Sequence, residues 1–298
     1  MKTNILITGA TGYIGSNLVK RLVNDGGVHI TAIYNNTVPN EKNRYITWVK
    51  YTGDYDSLNV IEGKIDVILH LATFFTPKHS AVAIGNMITS NILLGAHLLE
   101  FAKQNKINKF INTSTYAQSI DDSKYNPQNF YTSTKQAFED ILKYYTESGI
   151  IKNITLSLYD TYGPNDNRPK FINLVIDALD KDVPFNMSPG NQEIRYVYID
   201  DVVNAYCIAL DLLMGNKIDK SETFSISGNE SMSLNELVEY VSNTVGKKIE
   251  TNPGFYNYRD REIMKCIPKF NKIPNWEAKV KLSEGIKQII QNNENRRN

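Results

Sequence analysis

Asn4-Ile5-Leu6-Ile7-Thr8 runs without a break into Gly9-Ala10-Thr11-Gly12-Tyr13-Ile14-Gly15, and this passage decides the fold. The apolar, branched residues predict a short strand buried on both faces. The glycines that follow are spaced by three, GxxGxxG rather than GxGxxG. Beyond them Ile14, Leu18, Val19, Leu22 and Val23 recur at helical intervals until Gly26-Gly27 ends the helix. Strand, glycine turn and helix in that order suit a dinucleotide pyrophosphate. Glycine lets the backbone turn and approach the ligand, and the helix N-terminus offers free N–H groups and the positive end of its dipole. The plainer alternative is a glycine corner that only joins strand to helix; the strand-turn-helix context favours the phosphate loop.

The alternation continues outward. His29–Tyr34, Asp66–Leu71, Lys109–Thr113 and Ile154–Tyr159 read as further buried strands, and Ala81–Gln104 and Tyr131–Glu147 as long amphipathic helices. With right-handed crossovers this predicts an α/β, Rossmann-like doubly wound parallel sheet. After about residue 165 the pattern changes. Val197–Ile199 reads as a strand, Asp200 or Asp201 as the cap of a helix to about Leu213, and Ser233 as the cap of Leu234–Val245. Ser283 caps a last helix ending near Ile290, and the polar tail 291–298 is expected to fray. The expected division is a dinucleotide-binding domain over 1–165 and a smaller C-terminal α/β substrate domain over 166–298, with some strands and helices exchanged across a soft boundary.

Composition removes other classes. A chain of 298 residues can bury a large core, and 33 cations against 32 anions leave no electrostatic footprint for nucleic acid or an anionic membrane. Cys207 and Cys266 stand far apart without CxxC or histidine partners, so neither a disulfide framework nor a metal site is expected. No stretch reads as the roughly 20 apolar residues of a membrane span. The opening Met1-Lys2-Thr3-Asn4 has only Ile5-Leu6-Ile7 behind it, too short for a signal peptide. The expectation is a soluble cytoplasmic protein.

Such sheets commonly end the second strand in an Asp or Glu for the adenosine ribose, or place an Arg nearby for a 2′-phosphate. Here the strand ends Ile33-Tyr34-Asn35-Asn36, with Lys42 and Arg44 following. Without the repelling carboxylate, and with amides able to donate, NADP(H) is favoured and NAD(H) stays possible. Asp54 in Gly53-Asp54-Tyr55 stands where it can accept from the adenine amino group, or is simply a solvated carboxylate. Tyr131-Thr132-Ser133-Thr134-Lys135 puts Tyr and Lys one turn apart on one helical face. The spacing alone carries little in a chain with 18 tyrosines. Its place carries more: the helix follows the fifth strand, whose C-terminal end holds Thr113, Ser114 and Thr115, and ligands bind outside the carboxyl ends of such strands.

Gly9/Gly12/Gly15, His70-Leu71-Ala72, Thr113-Ser114-Thr115, Tyr131…Lys135, Tyr162-Gly163-Pro164 and the run Arg195 to Asp201 occur in one order across nearly the whole chain. Together they resemble the extended short-chain dehydrogenase/reductase family acting on nucleotide sugars. Residues 159–170 and 259–264 look most like its CDP-abequose, CDP-paratose and dTDP-sugar reductases. The resemblance implies Tyr131, Lys135 and Thr115 as catalytic residues. It implies cofactor contacts from Gly9, Thr11, Gly12, Tyr13, Ile14, Gly15, Asn35, Asp54, Tyr55, Leu71, Ala72, Thr73, Asn91 and Thr113, besides Tyr131 and Lys135. For the nucleotide sugar it implies Thr115, Asp160, Lys170, Phe171, Arg195 and Arg259, with 184–187 flanking the base. A homodimer through Ala81–Gln104 and Tyr131–Glu147 is also implied.

The departures narrow the chemistry. Family dehydratases carry Asp and Glu immediately after the catalytic Thr; Tyr116 and Ala117 stand here and cannot eliminate water. A 3,5-epimerase would need a Cys–His pair, and His70, His79 and His97 have no cysteine beside them. The implied activity is NAD(P)H-dependent reduction of the 4-keto group of a CDP- or dTDP-linked 4-keto-6-deoxyhexose, feeding deoxysugar or surface-polysaccharide synthesis. The alternative is an NAD-retaining 4-epimerase. The family's usual substrate-binding Asn falls at Asp160, better suited to sugar hydroxyls than to phosphate. Arg195 either grips the diphosphate or joins the two domains, and Arg259 is preferred to Arg261 for a second phosphate contact. Phe74 and Phe75 line the sugar entrance or pack.

Overall fold

A computed structural model describes residues 2–36, 43–76, 79–121, 123–181 and 183–297. Its central sheet is built from β1 (Thr3–Thr8), β2 (Val28–Tyr34), β3 (Ile46–Lys50), β4 (Val67–His70), β5 (Lys109–Thr115) and β6 (Lys152–Leu158). Four short strands follow, β7 (Asp160–Tyr162), β8 (Phe185–Met187), β9 (Glu193–Ile194) and β10 (Tyr196–Tyr198). Then β11 (Ser221–Ile226) returns to complete the sheet in the order β11-β6-β5-β4-β1-β2-β3, all parallel. Chain order reverses between β1 and β4, and that switch point opens a crevice at the carboxyl ends of the strands. The doubly wound sheet expected from the sequence is the one observed.

The pleat sorts each strand between two cores. Ile5 and Ile7 face one core with α1 (Tyr13–Asp25), while Leu6 faces the other. That second core is covered by α3 (Leu94–Gln104) and α4 (Phe130–Glu147), with α2 (Ala81–Ile88) leading into α3. A Cβ on Gly95 would lie 2.2 Å from the Phe138 ring, so this glycine sets how closely α3 approaches α4. The remaining helices are α5 (Phe171–Ala178), α6 (Ile199–Met214), α7 (Leu234–Val245) and α8 (Leu282–Arg297). β10 pairs with β7, β12 (Met232–Ser233) with β9, and β13 (Thr251–Pro253) with β8. One continuous core runs from Ile5 to Ile289, so α6 and β11 of the second half are built onto the first.

Four local expectations need correction. The cap of α6 is Tyr198, with Asp200 and Asp201 inside the first turn. Asp201 is occupied elsewhere: its Oδ2 accepts from Val280 N–H at 3.0 Å and its carbonyl from Trp276 Nε1 at 2.8 Å. The last helix begins at Leu282 and continues through the polar tail to Arg297, anchored by buried Ile286 and Ile289. The strand expected at Val197–Ile199 is Tyr196–Tyr198. Finally, Ala81–Gln104 is one helical run with a π-helical turn at Thr89–Leu93, and by length and composition it is apolar enough to cross a membrane. Its apolarity serves the fold on the inner side, where Leu94, Leu98, Leu99, Phe101 and Ala102 are buried.

Candidate active site

The phosphate loop is determined by backbone proximity. Gly9 has φ +73°, and a Cβ there would lie 2.7 Å from Ala72 N; a Cβ on Gly15 would lie 2.0 Å from the Gly9 carbonyl oxygen. Gly12 N–H donates to that carbonyl at 3.0 Å and occupies the N-cap of α1, where no side chain caps the helix. Thr11 and Gly12 are exposed at the mouth of the crevice. Thr8 Oγ1 accepts from Ala72 N–H at 3.1 Å and lies 2.8 Å from His70 Nδ1, tying the loop after β4 to the turn. Narrow glycines around an uncapped helix start fit a pyrophosphate. Tyr13 closes one side: its hydroxyl donates to Pro164 O at 3.3 Å, and the Arg168 guanidinium lies 4.7 Å from its ring centroid. Ile14 is half-buried and Leu71 buried beside this turn.

At the adenosine end Asn35 is exposed beyond β2, and Lys42 lies outside the described residues. Asp54 caps the turn Tyr55–Leu58, accepting from Ser57 N–H at 3.0 Å and Thr52 Oγ1 at 2.7 Å, which lowers its pKa. Tyr55 donates its hydroxyl to Gln104 Oε1 at 2.6 Å. Asn91 is a clear departure from the expected cofactor contact. Its amide oxygen accepts from Thr73 Oγ1 and Phe74 N–H, and its amide nitrogen donates to Phe74 O and Thr134 Oγ1. All its hydrogen-bonding capacity goes to pinning the 73–74 loop onto α4.

α4 carries the expected pair. It starts with a capping box, Asn129 and Thr132 exchanging backbone and side-chain hydrogen bonds, and this fixes the first turn that contains Tyr131. Burial raises the Tyr131 pKa, partly opposed by the Thr73 hydroxyl, and the Phe75 ring meets Tyr131 edge-on at 5.0 Å. Lys135 is buried, and burial brings its pKa down to about 8 while Glu139 pulls it upward. His70 is buried too, its pKa down to about 3 from burial and from the Lys135 charge, so it is neutral. Thr115 ends β5 and accepts from Ala117 N–H at 3.3 Å, leaving its own proton free to donate. Thr113 lies 2.6 Å from the buried Tyr206 hydroxyl, which links β5 to α6.

On the substrate side Lys170, Arg195 and Arg261 are spoken for. Asp160 and Lys170 pair at 2.7 Å, and Tyr116 donates to the second Asp160 oxygen at 3.0 Å. Chiefly the Lys170 charge offsets the cost of burial, leaving the Asp160 pKa lowered. Arg195, expected at the diphosphate, points its guanidinium at three backbone carbonyls, Cys266 at 3.2 Å, Gly228 at 3.1 Å and Asn229 at 2.9 Å. All three carbonyls lie, like Arg195 itself, within 166–298, so these contacts describe neither a diphosphate grip nor a domain-joining ion pair but a tie inside that half. Arg261 is bound by Pro127 O and Asn126 Oδ1, while Arg259 is exposed. Phe171 opens α5 and packs edge-on against Phe185 at 5.6 Å. Phe74 is exposed near the entrance.

A sequence model of the NAD dependent epimerase/dehydratase family matches residues 5–226. The chain belongs to that family. Its relatives include a CDP-abequose synthase of Yersinia pseudotuberculosis, 30% identical over 96% of this chain and 99% of that protein. Another CDP-abequose synthase, from Salmonella typhimurium, is 28% identical over 97% of this chain and 98% of that one. In three dimensions the chain resembles a UDP-glucuronic acid 4-epimerase from Bacillus cereus in complex with NAD, with TM-score 0.79 and 22% identity over 98% of this chain and 99% of the other. That likeness concerns the fold.

Within an epimerase/dehydratase-family site, two residues were missed from sequence. Glu139 stands one turn beyond Lys135 on α4, a spacing visible in the sequence as Tyr131, Lys135, Glu139. Tyr206 reaches Thr113 across 93 residues, and no local pattern signals that.

Proposed function

We propose that this family member reduces the 4-keto group of a nucleoside-diphosphate 4-keto-6-deoxyhexose, linked to CDP or dTDP, in deoxysugar synthesis. The dinucleotide is held by residues within 1–165 and the nucleotide sugar chiefly by 166–298. The observation that carries the reading is Tyr131 beside Lys135 on one face of α4, with Thr115 at the end of β5. Reduced nicotinamide supplies hydride when it is bound in the crevice. Tyr131 gives its proton to the sugar oxygen as alkoxide charge develops there. Thr115 donates a hydrogen bond to the same oxygen. The Lys135 ammonium then stabilises the phenolate left behind.

One feature supports reduction over dehydration. Tyr116 donates to Asp160 and stacks on Tyr159 at 4.6 Å, and Ala117 is buried, so no dehydratase acid and base stand after Thr115. The CDP-abequose synthase relatives support the nucleotide-sugar substrate. The exposed Asn35 and Asn36, with no carboxylate closing β2, favour NADP(H) over NAD(H). The 4-epimerase stays as the second reading because the 4-epimerase fold match extends over nearly the whole chain.

A cytoplasmic homodimer is part of the proposal: Val82, Ile88, Leu93 and Tyr144 expose apolar surface on α2, the π turn and α4, and light scattering would find two chains. The test of activity is nicotinamide absorbance with NADPH or NADH and enzymatically prepared CDP- or dTDP-4-keto-6-deoxyglucose. Stoichiometric loss of reduced cofactor with one pair is expected. No loss, with NAD⁺ released on denaturation and C4 interconversion, would replace the reductase with the epimerase.

A further inference from the structure

Glu139 follows Lys135 by four residues and Tyr131 by eight on α4, so the three side chains leave the helix on one face. Its Oε1 is buried and has no hydrogen-bond partner among the described residues. A buried carboxylate oxygen without a donor is costly unless an opposite charge faces it. Lys135, itself buried, is the neighbouring cation on that face: burial raises the Glu139 pKa and the Lys135 charge pulls it back down, while the Glu139 charge in turn favours the Lys135 ammonium. Among the described residues the surrounding groups supply no second cation. His70 on β4 is neutral, Ser114 at the end of β5 and Gln118 in the following turn approach the carboxylate, and Asp140, the next residue of α4, repels it. Ser114 is also committed to Gln118 Oε1 at 2.6 Å.

We propose that Glu139 is a positioning residue that anchors the Lys135 ammonium beneath Tyr131 and keeps it charged through turnover. Its contribution to turnover rests on the reductase reading; the pairing itself does not. When Tyr131 passes its proton to the sugar oxygen, the phenolate that remains needs a cation beside it. Burial alone drives Lys135 towards the neutral amine, and the Glu139 charge opposes that. Glu139 touches neither substrate nor cofactor in this role and acts only through Lys135.

The test compares wild type, Glu139→Gln and Glu139→Asp by two measurements. The first reads Lys135 directly, without substrate: isotopic labelling of lysine Cε, with the Lys135 signal assigned by its loss in Lys135→Arg, gives its titration midpoint by NMR across pH. Wild type is expected near pH 8, with Glu139→Gln lower by about one pH unit and Glu139→Asp in between, the size of shift a close opposite charge produces. An unchanged midpoint in Glu139→Gln, with native thermal unfolding, overturns the proposal. The second measurement is the pH profile of kcat in the ketoreductase assay. The basic limb of Glu139→Gln should move down by about one unit, giving about a tenfold loss above pH 8 and little change near pH 6. A uniform loss at every pH would mark Glu139 as merely structural and also overturn it. If the wild-type chain reduces no 4-keto sugar, the reductase reading fails on its own, and the NMR midpoint still decides the pairing.

Discussion

The two ends of the crevice were legible in the sequence to very different degrees, although both are built from familiar residue types. At the phosphate loop, Gly9 and Gly15 are where they are because a Cβ would collide with backbone at 2.7 and 2.0 Å. At the sugar end, Arg195, Lys170 and Arg261 are the right residues for a diphosphate, yet each already holds a protein partner. A requirement of the backbone permits one residue and so shows in the sequence. A long cation serves a ligand or the fold equally well, and only its neighbours decide which.

This contrast can be broken most sharply at the catalytic helix. Tyr131→Phe should lower kcat by about a thousandfold, the scale of a lost general acid, while reduced-cofactor fluorescence still reports binding. Unchanged turnover would remove Tyr131 from the chemistry. Gly15→Ala is next: its Cβ meets a carbonyl that cannot move without opening the turn. We expect about 3 kcal/mol of lost stability in urea and loss of nicotinamide binding by calorimetry.

Arg195→Met probes the other end. Three carbonyls lose their donor, so stability should fall by about 2 kcal/mol while KM for the nucleotide sugar changes little. A large rise in KM with native stability would return Arg195 to the diphosphate. Asp160→Asn removes the half-buried partner of Lys170 and should cost about 1 kcal/mol at neutral pH. The folded Asp160 pKa lies below its unfolded value, so its stabilisation is complete above the ordinary Asp pKa and is lost as pH falls through the lowered one. The variant should therefore lose less stability on acidification than wild type, read from urea midpoints between pH 6 and 3. Arg261→Ala, at an exposed side chain gripping Pro127 O, should cost at most about 1 kcal/mol.

Elsewhere the reading failed where partners come from distant chain. Asp201 looked like a helix cap, but its carboxylate is taken by Val280, 79 residues later. The tail beyond Ile290 looked frayed because it is polar, yet Ile286 and Ile289 seat the helix that carries it. Asn91 was placed at the cofactor by its position in the pattern; its four hydrogen bonds to Thr73, Phe74 and Thr134 required the folded loop to be seen.

By itself, the sequence determined the doubly wound sheet, the phosphate turn and the Tyr131–Lys135 face, because periodicity and glycine spacing are local demands on the backbone. Tertiary structure decided which charges are available. It pairs Asp160 with Lys170, commits Arg195 to carbonyls, joins Tyr206 to Thr113 and buries the Oε1 of Glu139 one turn from Lys135. Those outcomes depend on desolvation and on partners far apart in the chain, and neither is encoded in the spacing of neighbouring residues.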